Sequence, residues 1–156
     1  MEIRRATAGD AAIVRRLNRE VQQVHAAALP RFFKPPSDEA FPPATFAALV
    51  ADAGTLLLIG EVAGTPVGYA LATFAWRPED PFRHALGVAR VDQLSVDRPY
   101  QGRGYGERLL GAVIAQARER GIGRVELDVW AFNERARRFY ARRGFAVYNE
   151  RMALDL

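Results

Sequence analysis

The order of periodicities along the chain predicts an α/β sandwich around a mixed sheet. Three observations carry that expectation. The chain has 156 residues, 49% hydrophobic and 26% charged, which suits one domain, residues 1–156, able to bury its own core. Short apolar alternations interchange with stretches of helical spacing. One strand passes into a helix through three closely spaced glycines, a turn that only special backbone angles allow.

Residues 2–6 read as a short strand. Asp10 is placed to cap a helix on which Ile13, Leu17, Val21 and Val24 recur, ending near Leu29-Pro30. Arg31 to Ser37 reads as a loop with two adjacent aromatics, and a second helix fits Pro43 to Asp52 with proline in its first turn. Thr55–Val62 and Val67–Trp76 are apolar strands joined at Ala63-Gly64-Thr65-Pro66 as a hairpin. Pro78 to Gly87 is a charged, proline-containing loop. A strand begins at Ala89 and carries Val91, Leu94 and Val96. After Gln101–Gly106 comes a helix with Leu109, Leu110, Val113, Ile114 and Ala117 on one face, ending at Gly121. Val125, Leu127 and Val129 alternate with Glu126, Asp128 and Trp130, a strand with two unlike faces. Asn133 reads as the N-cap of a helix bearing Ala136, Phe139 and Tyr140, with Gly144 at its C′ position. Residues 145–155 read as a final strand, or two strands bent near Asn149.

Composition excludes several chemistries. With no cysteine, disulfides, thiolate metal sites and cysteine nucleophiles are out. The histidines are His25 and His84, the serines Ser37 and Ser95, the lysine Lys34. None lies in a metal-binding or nucleophile-elbow motif. No metal is expected, and an enzyme so short of nucleophiles works by direct transfer between bound substrates. Residues 1–76 carry seven basic and seven acidic groups, and residues 77–156 fifteen and eleven, so the net charge of +4 lies in the second half. Most of it is arginine, suited to phosphate. Nucleic-acid binding wants a denser patch with interleaved aromatics, and is not expected. Mean hydropathy is -0.13, and the longest aliphatic run, Leu56–Ile59, is far below a membrane span. No secretory signal is visible behind Met1, so a cytoplasmic address is expected.

Gly102, Gly104 and Gly106 open the third helix. Glycine permits positive φ and close ligand approach, and the helix start adds free N–H donors and the positive end of its dipole. Such a turn can hold a pyrophosphate. Glu107 breaks the dinucleotide fingerprint, and no Gly-Lys-Ser/Thr follows, so neither common nucleotide loop is matched.

Gln101-x-x-Gly104-x-Gly106 after Val96, followed by Leu127-Asp128-Val129-Trp130 and then Asn133-x6-Tyr140 leading into Arg143-Gly144-Phe145, resembles the GNAT family of N-acetyltransferases. The motifs cover residues 89–145. The resemblance implies a three-layer α/β sandwich, with a mixed six- to seven-stranded sheet flanked by about four helices. It also implies acetyl transfer from acetyl-CoA straight to a primary amine of a small molecule or of a peptide or protein N-terminus. By the same resemblance Gln101, Gly102, Arg103, Gly104, Tyr105 and Gly106 take the pyrophosphate. Leu94, Ser95 and Val96 pair with the pantetheine arm like an added strand, and Asn133 and Tyr140 touch the cofactor. Tyr140 is the implied acid for the departing thiolate; its spacing alone reads as a packed helix aromatic. The amine, with a pKa near 10, needs a proton acceptor. Asp128 is first choice, at a position where some relatives use glutamate, and Asp92 second; Arg90 stands where histone-modifying relatives carry glutamate.

For the acceptor, the loop between the first two helices and the C-terminal segment point to His25, Phe32, Phe33 and Phe41, with Tyr148 beside them. No dense acidic run is present to hold a polycation. With few residues after Gly144, an open sheet edge makes a homodimer an expectation. A binding module that senses acetyl-CoA without turnover is the alternative reading.

Overall fold

The structure, a computed structural model, describes residues 1–154. Among these residues five strands form one sheet in the order β1-β2-β3-β4-β5. They are β1 (Glu2–Arg5), β2 (Thr55–Val62), β3 (Thr65–Arg77), β4 (Leu86–Val96) and β5 (Arg124–Leu127). Successive strands pair antiparallel except β4 and β5, which are parallel. The helices are α1 (Ala11–Ala28), α2 (Pro43–Ala51), α3 (Tyr105–Glu119) and α4 (Glu134–Ala141). None is long and apolar enough to cross a membrane.

Three layers follow from the strand alternation. Leu57 and Ile59 of β2, with Tyr69 and Leu71 of β3, pack on Val14 and Leu17 of α1 and Phe46 of α2. Leu56, Leu58, Ala70, Ala72 and Val91 face the other way, onto Leu109, Leu110 and Val113 of α3. Covered on both faces, β2 reads as a continuous apolar run rather than an alternating one. The β2–β3 hairpin turns at Ala63 and Gly64, both at positive φ (48° and 75°), the geometry that matches the twist of paired strands. The β3–β4 hairpin is longer than the sequence suggests: its strands run to Arg77 and from Leu86, leaving a shorter connection.

Three expectations need correction, the first being that β5 ends at Leu127, so Asp128, Val129 and Trp130 lie beyond the strand. Asp10 stands directly before α1, but its carboxylate does not cap that helix. It is buried and accepts the Thr7 N–H at 2.7 Å, the Thr7 hydroxyl at 2.8 Å, and two Arg4 N–H groups at 2.9 and 2.8 Å. Arg4 also donates to Glu61 at 2.9 Å, so one guanidinium ties β1 to β2 and to the start of α1. The sheet is also narrower than six or seven strands, because residues 145–154 form none; Asp155, the end of the expected strand, lies outside the described residues. The polar run Asn149-Glu150-Arg151 breaks the alternation a strand needs. Tyr148 instead lies under the Arg124 guanidinium, 4.4 Å from it, so the segment meets β5 through side chains.

The Arg4 guanidinium, working against burial and helped by the Thr7 amide and hydroxyl, holds the Asp10 carboxyl well below the usual carboxylate range. A carboxyl depressed on folding contributes stability above its unfolded pKa of about 3.9 and loses it as pH falls further. Thermal melts of D10N should begin lower than wild type near neutrality and decline less steeply between about pH 5 and 2. Equal slopes in the two proteins would contradict this.

Candidate functional site

β4 and β5 pair only from Val88–Arg124 to Val91–Leu127, and then part. At the same point the β3–β4 register skips a residue. Gln93 lies opposite Leu71 and Val91 opposite Ala72, which leaves Asp92 in a bulge. A bulge bends and twists its strand, and here it bends β4 where β5 leaves it. Beyond the bulge the Asp97 N–H donates to Val67 C=O at 2.8 Å, on the β3 side. Strand alternation then turns the Ser95 backbone toward β3, and the backbones of Leu94 and Val96 toward the parting. Ser95 also spends its hydroxyl on Leu17 C=O at 3.0 Å. Leu94 and Val96, rather than all three residues, therefore offer backbone to an extended ligand. Gln101 anchors the turn beyond them, donating to Val96 C=O at 2.6 Å.

Gly102 and Gly104 have φ of 77° and 78°, and Gly104 is the residue before α3. A Cβ on either would meet no protein atom within 4 Å, so both face open space. Among the described residues, no backbone or side-chain acceptor takes an N–H from Gly102 through Glu107; Arg108 is the first to donate, to Gly104 C=O at 3.1 Å. Consecutive bare amides at a helix start are the donor set that a diphosphate requires. Gly106 has another use. A Cβ there would lie 3.7 Å from Phe139 and 3.8 Å from Val96, so this is where α4 approaches the turn. Arg103 sits 5.7 Å over the Tyr100 ring, and Tyr105 begins α3.

α4 forms the opposite wall of the parting. Asn133 caps it as expected, accepting the Ala136 N–H at 3.1 Å. Arg143 pairs with Glu107 and clamps α4 to α3. Phe139, Tyr140 and Phe145 pack into the same apolar cluster as Leu94 and Val96. The Tyr140 ring lies 5.1 Å from Phe139 and 5.6 Å from Phe145. Burial pushes its phenol up to about 12, so it carries its proton at neutral pH.

The carboxylates approach from the α1 face. Asp92 forms an ion pair with Arg90 at 2.8 Å and accepts from the Thr73 hydroxyl at 2.9 Å, one oxygen to each. Asp128 follows the last residue of β5 and is exposed. Between them in sequence, Glu126 is buried against Arg124 at 2.6 Å and Arg77 at 3.2 Å. Burial pushes its carboxyl up, but Arg124, Tyr148 and Arg77 together hold it below the usual range. Glu126 thus serves to tie Arg124 of β5 to Arg77 at the end of β3. Among the described residues, no group of three His, Asp or Glu side chains is placed to hold a metal ion.

Three of the four expected acceptor residues meet. His25 and Phe33 are 5.0 Å apart, and Phe33 lies 5.1 Å and Phe32 5.5 Å from Trp130. Phe132 completes the cluster, 5.7 Å from His25 and stacked at 6.1 Å on Trp130. Phe41 does not join; its ring lies 6.1 Å from Phe46, over the α1–α2 core. Trp130 and Phe132 were not singled out for this role, and the signal available was modest: two aromatics in the short stretch between a strand end and a helix cap. Also missed was a buried relay on the α1 face. Asn18 donates to the Tyr69 hydroxyl at 2.7 Å, which donates to Gln93 at 2.7 Å. Burial raises the Tyr69 phenol, opposed by Asn18. Gln93 forms part of the lining of a cavity of about 390 Å³ between α1 and residues 34–41. A cavity of about 490 Å³ at the tip of the β3–β4 hairpin, between Arg77 and Leu86, lies apart from the glycine turn.

The sequence and the fold both have parallels among known proteins. An uncharacterised N-acetyltransferase of Methanocaldococcus jannaschii is 38% identical over 85 residues, 54% of this chain and 36% of that protein. The mycothiol acetyltransferase of Propionibacterium freudenreichii is 35% identical over 96 residues, 62% of this chain and 29% of its own. The matches thus span about a third of those relatives' length. A tetramutant of the BH1408 protein of Bacillus halodurans superposes with a TM-score of 0.94 at 28% identity, covering all of both chains. The ribosomal-protein-alanine N-acetyltransferase of Brucella melitensis shares the fold, with a TM-score of 0.67 at 18% identity over all of both chains. The model of the Acetyltransferase (GNAT) family matches residues 21–145, which takes in the glycine turn, the parting and α4: the chain belongs to that family.

Proposed function

We propose that the protein transfers the acetyl group of acetyl-CoA directly to a primary amine, of a small molecule or of a peptide or protein N-terminus, with no covalent enzyme intermediate. The observation that carries this reading is the run of unpartnered amides from Gly102 to Glu107 beside the open backbone of Leu94 and Val96. The amides and the helix start would hold the diphosphate. The strand edge would pair with the pantetheine arm, delivering the thioester to the parting.

The division of faces supports the chemistry. An alkylammonium, with a pKa near 10, must lose a proton before its nitrogen can attack. Asp128, exposed at the mouth of the parting, is the proposed acceptor of that proton, through a water where its short side chain does not reach. Asp92, held by Arg90 and Thr73, is the second candidate. As the new C–N bond forms and the C–S bond breaks, charge grows on sulfur. Tyr140, on the α4 side, donates its phenolic hydrogen to that sulfur. A phenol near 12 lies above an ordinary thiol at about 8.5, so its hydrogen bond stabilises the thiolate; the second proton, which the nitrogen sheds as the amide forms, ends on the sulfur by way of the phenol, and Tyr140 is left neutral. A neutral phenol at this place favours turnover over the sensor reading.

Free-thiol release from acetyl-CoA across a panel of amines and peptides tests the reading; no release with any member would refute it. Y140F should bind CoA as wild type does and lose at least about tenfold in kcat, and unchanged turnover would remove the donor role. In G104A the new Cβ meets no protein atom, so stability should fall by only about 1–2 kcal/mol for the strained φ. Its CoA dissociation constant should rise by about tenfold, the worth of one hydrogen bond to a charged group. CoA affinity unchanged in G104A would contradict the diphosphate assignment.

A further inference from the structure

The cavity between α1 and residues 34–41 has a definite construction. Residues 34–41 are strapped to α1 at both ends. Gln22 donates to Lys34 C=O at 2.6 Å, and Arg15 donates to Ala40 C=O at 2.7 Å and Phe41 C=O at 3.3 Å. The Asn18–Tyr69–Gln93 relay underlies it, and Gln93 directly follows the Asp92 bulge. Because Gln93 spends its oxygen on Tyr69, its two amide hydrogens remain as donors. The cavity therefore has Gln93 of β4, next to the bulge, at one end and the strap at the other.

Its charge is one-sided. Arg15, Arg19 and Lys34 line it against a single acidic side chain, Glu39. Arg19 is partnered by the exposed Asp38 at 3.2 Å. Arg15 is hydrogen-bonded only to neutral carbonyls, so no carboxylate cancels its charge. Lys34 has no ion pair among the described residues. A second cationic group on the acceptor would be repelled here, and an anionic one attracted.

We infer that the acceptor is an amine that also carries a carboxylate, an amino acid or a like zwitterion, with its amine at the Gln93 end, toward β4, and its carboxylate against Lys34 and Arg15. This rests on the acetyl-transfer reading and narrows it. Lys34 and Arg15 are then specificity-determining groups, and Gln93 a positioning donor along the acceptor.

Matched acceptors differing only in the carboxylate separate this inference from the reading beneath it. We would measure thiol release from acetyl-CoA with L-lysine against 1,5-diaminopentane, 4-aminobutyrate against propylamine, and L-phenylalanine against phenethylamine. The carboxylate-bearing member should have the higher kcat/KM by about tenfold or more, the value of a hydrogen-bonded charged group. The exposed Lys34 allows a charge reversal without disturbing the core. K34E should abolish or invert that preference through KM, while the CoA-induced thermal shift stays at the wild-type value. Equal or better turnover of the decarboxylated amines, or a preference that K34E leaves intact, would overturn the anionic-acceptor inference and leave acetyl transfer standing. No thiol release from either set would overturn both.

Discussion

The separation of β4 from β5 after the Val91–Leu127 pair is the constraint on which the site depends. A buried backbone donor or acceptor left without a partner is costly, so strands that part inside a sheet need something to take up the exposed groups. Here the protein takes up only some. Gln101 reaches back to Val96 C=O, and the glycine turn leads into α3 without satisfying its own amides. The Asp92 bulge directs the bend, and α4, clamped through Arg143 and Glu107, holds the opposite wall. Two rows of unmet hydrogen-bonding groups, one on a strand edge and one at a helix start, are thereby arranged end to end.

The same separation sorts the chemistry by face. On the α3–α4 side the Tyr140 hydroxyl is set in an apolar cluster, and burial among Phe139 and Phe145 keeps that phenol neutral. On the α1 side the groups are polar and charged: Arg90, Asp92 and Thr73 in one set, Asn18, Tyr69 and Gln93 in another. The proposed proton donor, Tyr140, and the proposed proton acceptors thus stand on opposite faces of one sheet. Neither can neutralise the other, because the sheet lies between them.

What could be read in the sequence was mostly local. Gly102, Gly104 and Gly106 sit in a turn before a helix, and Asn133 caps the helix of Tyr140, because capping and positive φ are decided by residues a few positions apart. The apolar periodicities of α1, β2, β3 and α3 placed those elements to within a few residues. What escaped was non-local. Nothing in Val91-Asp92-Gln93 announces a bulge, since register is set by the partner strand. Asp10 looks like a helix cap until Arg4 is brought against it. Phe32 and Phe33 were visible as a pair, but Trp130 and Phe132, nearly a hundred residues on, join them only through the fold. In place of the expected strand beyond Phe145, Tyr148 lies under Arg124, a contact that no pattern of alternation encodes.

The central claim is that the amides between Gly102 and Glu107 receive a diphosphate. Amide chemical shifts from isotope-labelled protein read it residue by residue, with coenzyme A compared against pantetheine, which shares the arm and lacks the diphosphate. The account predicts large shifts at Gly102, Gly104 and Gly106 with coenzyme A, and none at those three with pantetheine. Coenzyme A that binds while leaving those three resonances in place would contradict it.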